Sequence, residues 1–148
     1  MSVTSPPYAN RYEYMRTYAL ELAWMSFDKE GFSTLRQRML SATVENKAKA
    51  QSLDMIYRDN RETLNRSIRM YDEQDAIHEV LGILRDRQNE LSNQNVLRLI
   101  GQYFFEMAII IAELGRIIRS GGSVFMVNDN VQYHGEELPM DFILADFA

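Results

Sequence analysis

A chain of 148 residues is long enough for one domain with a hydrophobic core, and 46% hydrophobic against 25% charged residues is the balance of a folded protein, not a disordered one. A formal net charge of −5 argues against a general polyanion binder, because phosphate contacts need clustered Lys and Arg. The lack of cysteine excludes disulfides, thiolate metal sites and cysteine nucleophiles.

The start, Met1 to Pro7, carries neither a basic cluster nor an apolar run, so no signal peptide is expected. The three prolines are Pro6, Pro7 and Pro139, which leaves the long middle free of the strongest helix breaker. From Tyr12 to about Phe27, Tyr14, Met15, Tyr18, Ala19, Leu22 and Met25 recur at helical spacing and predict one helix. Gly31 punctuates it, and a shorter helix is expected from Ser33 to Leu40. Residues 42–71 have a thin apolar stripe and six basic residues interleaved with four acidic ones. They read as a possible helical insert within a single domain spanning 1–148, with a solvated face as the commoner meaning of such charges.

A second helix is expected from near Asp72, with Ile77, Val80, Leu81, Leu84 and Leu91 on one side. The Ser92-Asn93-Gln94-Asn95 cluster is a stop-and-restart signal, with Asn as a helix cap. The long segment from Val96 to about Ser120 is apolar almost all round between Tyr103 and Leu114 and predicts a central, buried helix ended by Gly121-Gly122. Met107 to Leu114 is its most apolar part, and this is too short to span a bilayer. A soluble, cytoplasmic protein is therefore expected. Ser123 to Val127 reads as a buried strand, Asn128-Asp129-Asn130 as a turn, and Pro139 as the opening of a final helix over Met140–Phe147.

Thr4-Ser5-Pro6-Pro7-Tyr8 is the stretch that carries chemistry. Two successive prolines lock their own φ angles and hold Ser5 and Pro6 extended, giving a stiff loop with few backbone donors. A polar residue and an aromatic ring held in fixed relation suit a flat, hydrogen-bonding group: the ring stacks on it and neighbouring oxygens accept its hydrogens. Taken alone, the same four residues also fit a rigid turn with no role.

Ser5-Pro6-Pro7-Tyr8 resembles the catalytic motif of DNA methyltransferases that act on exocyclic amino groups, with serine first as in the cytosine-N4 type. The stretch from Ala9 through Leu22 is similar to the segment that follows this motif in one branch of the family. Tyr103 through Gly122 is similar to the family's helix leading to a "Pro-Gly-Gly" turn, and Ser123–Asp129 and Met140–Ala148 to the next strand and helix. The resemblance implies a cytosine flipped out of the duplex, stacked on Tyr8, its amino hydrogens accepted by Ser5 and the carbonyl of Pro6. It implies S-adenosylmethionine as methyl donor and DNA as partner, with no metal and no covalent intermediate.

The family's cofactor loop, Phe-x-Gly-x-Gly after a strand, has no counterpart here; Gly121-Gly122 precede a strand instead. Of the strand that should present the catalytic loop, Ser2-Val3-Thr4 remain. The expected fold is therefore helix-rich α/β, an incomplete Rossmann-like methyltransferase domain with few strands. The expected function is a fragment or relative of a cytosine-N4 DNA methyltransferase, inactive as an isolated chain and with its cofactor-binding residues unknown. The alternative is a non-enzymatic, helical, homodimeric interaction module, since an incomplete sheet leaves an edge that a second copy would cover. His78 and His134 are too isolated for a metal site. Glu106 and Glu113 share a helix face as paired carboxylates or, more commonly, a polar seam. Trp24 with Tyr12, Tyr14 and Tyr18 makes an aromatic helix that is a base-stacking platform, core or an interface.

Overall fold

A computed structural model describes residues 1–91 and 93–148. Among the described residues the chain is helix-rich with four strands of three residues each. In order these are β1 (Ser2–Thr4), α1 (Tyr14–Thr17), α2 (Ala19–Trp24), α3 (Lys29–Arg38), α4 (Ala50–Ile56), α5 (Arg61–Asp72), α6 (Asp75–Asp86), α7 (Val96–Ile117), β2 (Val124–Met126), β3 (Val131–Tyr133), β4 (Glu136–Leu138) and α8 (Met140–Asp146), with a 3-10 turn at Gln88–Glu90. No described helix is long and apolar enough to cross a membrane.

The central element is α7, as its all-round apolar sequence predicts. Tyr103, Phe104, Met107 and Ala108 are completely buried on it. Helices α5 and α6 pack along α7. The hydrophobic cluster extends through Ile77 and Leu84 of α6 to Leu138 of β4 and to Met140 and Ile143 of α8.

Local hydrogen bonds explain where the elements begin. Asp28 Oδ1 accepts from the Gly31 amide at 2.7 Å, so Gly31 lies inside the first turn of α3 and does not end a helix as the sequence suggests. Gln74 Oε1 accepts from the Ala76 amide at 2.9 Å, which opens α6 at Asp75 and not near Asp72. Asn130 Oδ1 accepts from the Met140 amide at 2.9 Å and so caps α8 across a hairpin.

Three further expectations are corrected. The single helix over Tyr12–Phe27 is two short pieces broken at Tyr18, and of their residues only Met15 is buried. The predicted stripe is only partly inward, with Tyr18 51% and Met25 70% exposed, and the flank carrying Leu20 (84%) and Trp24 (91%) faces solvent. Asn95 precedes α7 but makes no side-chain cap; Asn93 Oδ1 accepts from the Asn95 amide at 2.8 Å instead. Ser92 of that cluster lies outside the described residues. Helix α7 ends at Ile117, before the glycine pair, and Gly121 has φ +76° in the turn that leads to β2.

The β3–β4 hairpin was not anticipated. Its two-residue turn, His134–Gly135, has both φ angles positive (51° and 86°), the geometry that suits the right-handed twist of a hairpin. The alternation of buried Val131 and Tyr133 about exposed Gln132 and the glycine at the turn were the available signal.

Candidate functional site

The two ends of the chain meet in a parallel pair, β1 beside β2, with Ser2 opposite Val124, Val3 opposite Phe125 and Thr4 opposite Met126. The Ser2 amide donates to the Ser123 carbonyl and the Val127 amide to the Thr4 carbonyl, each at 2.9 Å. Residues 2–4 thus do form the strand that presents the proline-stiffened loop. Ser5 to Tyr8 leave the carboxyl end of β1 directly beside the carboxyl end of β2, the edge at which open α/β sheets bind their ligands.

Ser5 is exposed, while Pro6, Pro7 and Tyr8 are half-buried. Pro7 lines a small cavity together with Met15, Leu40 and Ala42. Ala9 is fully buried, and the Tyr133 hydroxyl donates to its carbonyl oxygen. The chain then reverses at Arg11, whose φ of 66° is the left-handed conformation uncommon for a non-glycine residue. The Arg11 guanidinium lies 5.6 Å from the centre of the Tyr133 ring.

Beneath the loop stands a group of phenols. Tyr103 is completely buried on α7, and Asn128, just past β2, donates its amide to the Tyr103 hydroxyl at 3.4 Å. Burial pushes the Tyr103 hydroxyl up to about 12; the Asn128 contact acts in the opposite sense, and the Tyr14 and Tyr8 phenols raise it further. Burial likewise pushes Tyr133 up to about 12, against the Arg11 charge. Both stay protonated donors across the biological range. Tyr103, Asn128, Tyr133 and Arg11 were not singled out from the sequence. The one legible signal was Asn128, a polar residue immediately after an apolar strand.

The other candidates fall elsewhere. His78 is exposed and its Nε2 lies 3.2 Å from the Tyr71 carbonyl, whereas His134 pairs with Glu90 at 2.6 Å. Among the described residues no three His, Asp or Glu side chains stand close enough to hold a metal. Glu106 and Glu113 are not paired with each other. Glu106 is buried against Lys49, at 3.0 Å, and Ser41, and Glu113 contacts Arg116 and Asn60. Of the basic residues between 47 and 69, Lys49 is taken up by Glu106 and Arg61 by Asp54. Gly121-Gly122 sit at the amino end of β2, the opposite end of the sheet from Ser5–Tyr8. Among the described residues no glycine-rich turn stands at the carboxyl end of a strand, so the residues present do not fit an adenosylmethionine site.

The sequence as a whole is similar to a known class of protein. M.AvaI, a Type II methyltransferase found in Nostoc sp. and in Anabaena variabilis, is 41% identical over 148 residues, covering 99% of this chain. Over nearly its whole length the chain is similar to Type II methyltransferases. M.BsoBI of Geobacillus stearothermophilus, another, is 41% identical over 150 residues. The chain spans only 29–30% of the length of these relatives. It therefore fits one segment of a methyltransferase. No protein-family model and no solved structure matches it.

Proposed function

We propose that this chain is the target-base part of an amino-methylating DNA methyltransferase of the cytosine-N4 type, with a Rossmann-like sheet completed by polypeptide outside these 148 residues. The observation that carries the reading is the placement of Ser5-Pro6-Pro7-Tyr8 at the carboxyl end of a parallel strand, beside the carboxyl end of its neighbour. In this reading Tyr8 stacks on a cytosine turned out of the duplex. The Ser5 hydroxyl and the Pro6 carbonyl accept the two amino hydrogens and orient the nitrogen, and S-adenosylmethionine is the methyl donor of the completed enzyme. The open sheet supports it. Val3, Phe125 and Val127 are 65%, 54% and 59% exposed, whereas parallel sheets are normally covered on both faces. The isolated chain binds no cofactor and transfers no methyl group.

The test is titration of the protein into a DNA duplex that carries pyrrolocytosine, a fluorescent cytosine analogue, opposite an abasic site. A saturable change in emission is expected. Tyr8→Ala is expected to weaken it by about 5- to 150-fold, the range of one base–aromatic stack. A Tyr8→Ala variant that binds the analogue as well as the native chain refutes the reading.

A second reading is favoured by the outward face of α2. Leu20 and Trp24, one helical turn apart, and Met25 (70%) form an exposed apolar patch. On this reading the chain is a helical interaction module that pairs with a second copy. Sedimentation velocity separates the two: a dimer that dissociates on Trp24→Ala supports the module, and a monomer at the highest attainable concentration refutes it.

A further inference from the structure

The loop that carries Ser5–Tyr8 is held at both ends by different parts of the fold. Its amino end is fixed where Thr4 accepts from the Val127 amide in the β1–β2 ladder. Its carboxyl end is fixed where Ala9 accepts from Tyr133 on β3. Between these anchors the prolines at 6 and 7 remove two φ torsions and restrict the residues before them, so Tyr8 and Ala9 are the loop residues that proline constrains least. From this geometry we infer that Tyr133 is a positioning residue. Its hydroxyl, delivered by the β3–β4 hairpin, sets the orientation of the Tyr8 ring through the Ala9 carbonyl. The inference rests on the base-recognition reading of the loop.

Three features make the hairpin a rigid support. Its strands are in register from Val131 opposite Leu138 to Tyr133 opposite Glu136, and Leu138 is completely buried in the core. The turn at His134–Gly135 has the two positive φ angles that fix a two-residue connection. The Tyr133 ring is itself buried at 5% exposure, and the chain bends at Arg11 to bring a guanidinium over it. A phenylalanine would fill the same space. Only the hydroxyl satisfies the Ala9 carbonyl, which is sealed from water and needs a donor.

The experiment compares native protein with Tyr133→Phe by amide hydrogen exchange and by pyrrolocytosine-duplex titration. Removing the hydroxyl is expected to speed exchange over residues 8–12 about tenfold, leaving α7 unchanged, and to weaken duplex binding about tenfold. Replacing Tyr133 with 4-aminophenylalanine, which keeps a donor at that position, is expected to restore both. Gly135→Ala strains the exposed turn at φ +86° with no side chain to clash and is expected to act in the same direction. It serves with the same criteria should Tyr133→Phe not fold. Faster exchange throughout the chain, or locally faster exchange with unchanged duplex affinity, overturns the positioning role. If the native chain does not bind the analogue, the base-recognition reading fails, while the exchange pattern still decides whether the hairpin orders the loop.

Discussion

Glu106 receives both the amide and the hydroxyl of Ser41, at 3.1 and 2.6 Å, from a loop that stands far away in sequence. Lys49, on the same excursion, reaches the other side of that carboxylate at 3.0 Å and also donates to the Met39 carbonyl. Gln102, one turn earlier on α7, has its amide nitrogen 2.9 Å from the Lys47 carbonyl. A buried acid thus ties residues 39–49 to the central helix. Glu106→Ala leaves a buried ammonium without its counter-ion and the Ser41 amide without its acceptor, and is expected to cost about 3–5 kcal/mol. Glu106→Gln keeps an acceptor and costs less, about 1–3 kcal/mol. Urea midpoints at constant slope check the order.

The core and the first helices are expected to respond in opposite ways to loss of an aromatic ring. Phe104→Ala empties a completely buried position and is expected to cost about 3–5 kcal/mol. Trp24→Ala removes a 91%-exposed ring and is expected to stay within about 0.5 kcal/mol. Thermal unfolding of the two variants reads the difference directly.

Tyr103 and Tyr133 ionise near pH 12 in the folded chain and near their ordinary 10.0 in the unfolded one. The folded state therefore holds these protons more tightly. The associated stability is complete below pH 10 and is lost as pH climbs toward 12, by up to about 1.4 kcal/mol per pH unit for each tyrosine. Urea unfolding between about pH 9 and about pH 11 is expected to show this decline, and Tyr133→Phe to flatten it. A decline of equal slope in the variant would mean that Tyr133 is not part of it.

Two glycines separate space from conformation. A Cβ at Gly122 would lie 2.3 Å from Ile118 Cγ2 and 2.9 Å from the Arg119 carbonyl, to which the Gly122 amide is already bonded, so Gly122→Ala is expected to destabilise by about 1–3 kcal/mol. Gly115 lies within α7 with nothing within 4 Å, and Gly115→Ala is expected to stabilise by about 0.5–1 kcal/mol.

Calorimetric titration with S-adenosylhomocysteine is expected to give no saturable heat, because the only adjacent glycines stand at the amino end of β2. One site per chain would instead reveal a cofactor pocket built without a glycine turn.

Much of this arrangement was legible in the residues. The all-round apolar run from Tyr103 to Leu114 marked α7 as the centre, and the short apolar stretch after Ser123 marked β2 as a strand but not as the exposed one it is, with Val124 42% and Phe125 54% accessible. The motif at Ser5 marked a candidate loop, which stands at the carboxyl end of β1. What could not be read was long-range. Met15 and Met25 sit on one predicted apolar stripe, yet one is 6% and the other 70% exposed, because packing against distant parts of the chain decides which part of the stripe is covered. Asp28 overrode the breaker character of Gly31 with a single hydrogen bond. Tyr133 donates to a backbone carbonyl distant in the chain, a partner that no local pattern encodes.

The pairing of Ser2 with Val124 also has a kinetic meaning. Positions 2 and 124 stand far apart in the chain, so their contact closes a very long loop of the polypeptide. Helices such as α5, α6 and α7 need only neighbours and are expected to consolidate first, with the three-residue ladder joining last and opening first. Ser5 hangs from that ladder. The Ser5–Tyr8 loop is thus expected to be a late arrival in folding and an early departure in unfolding, and its geometry would fade before the helical core shows any loss of signal.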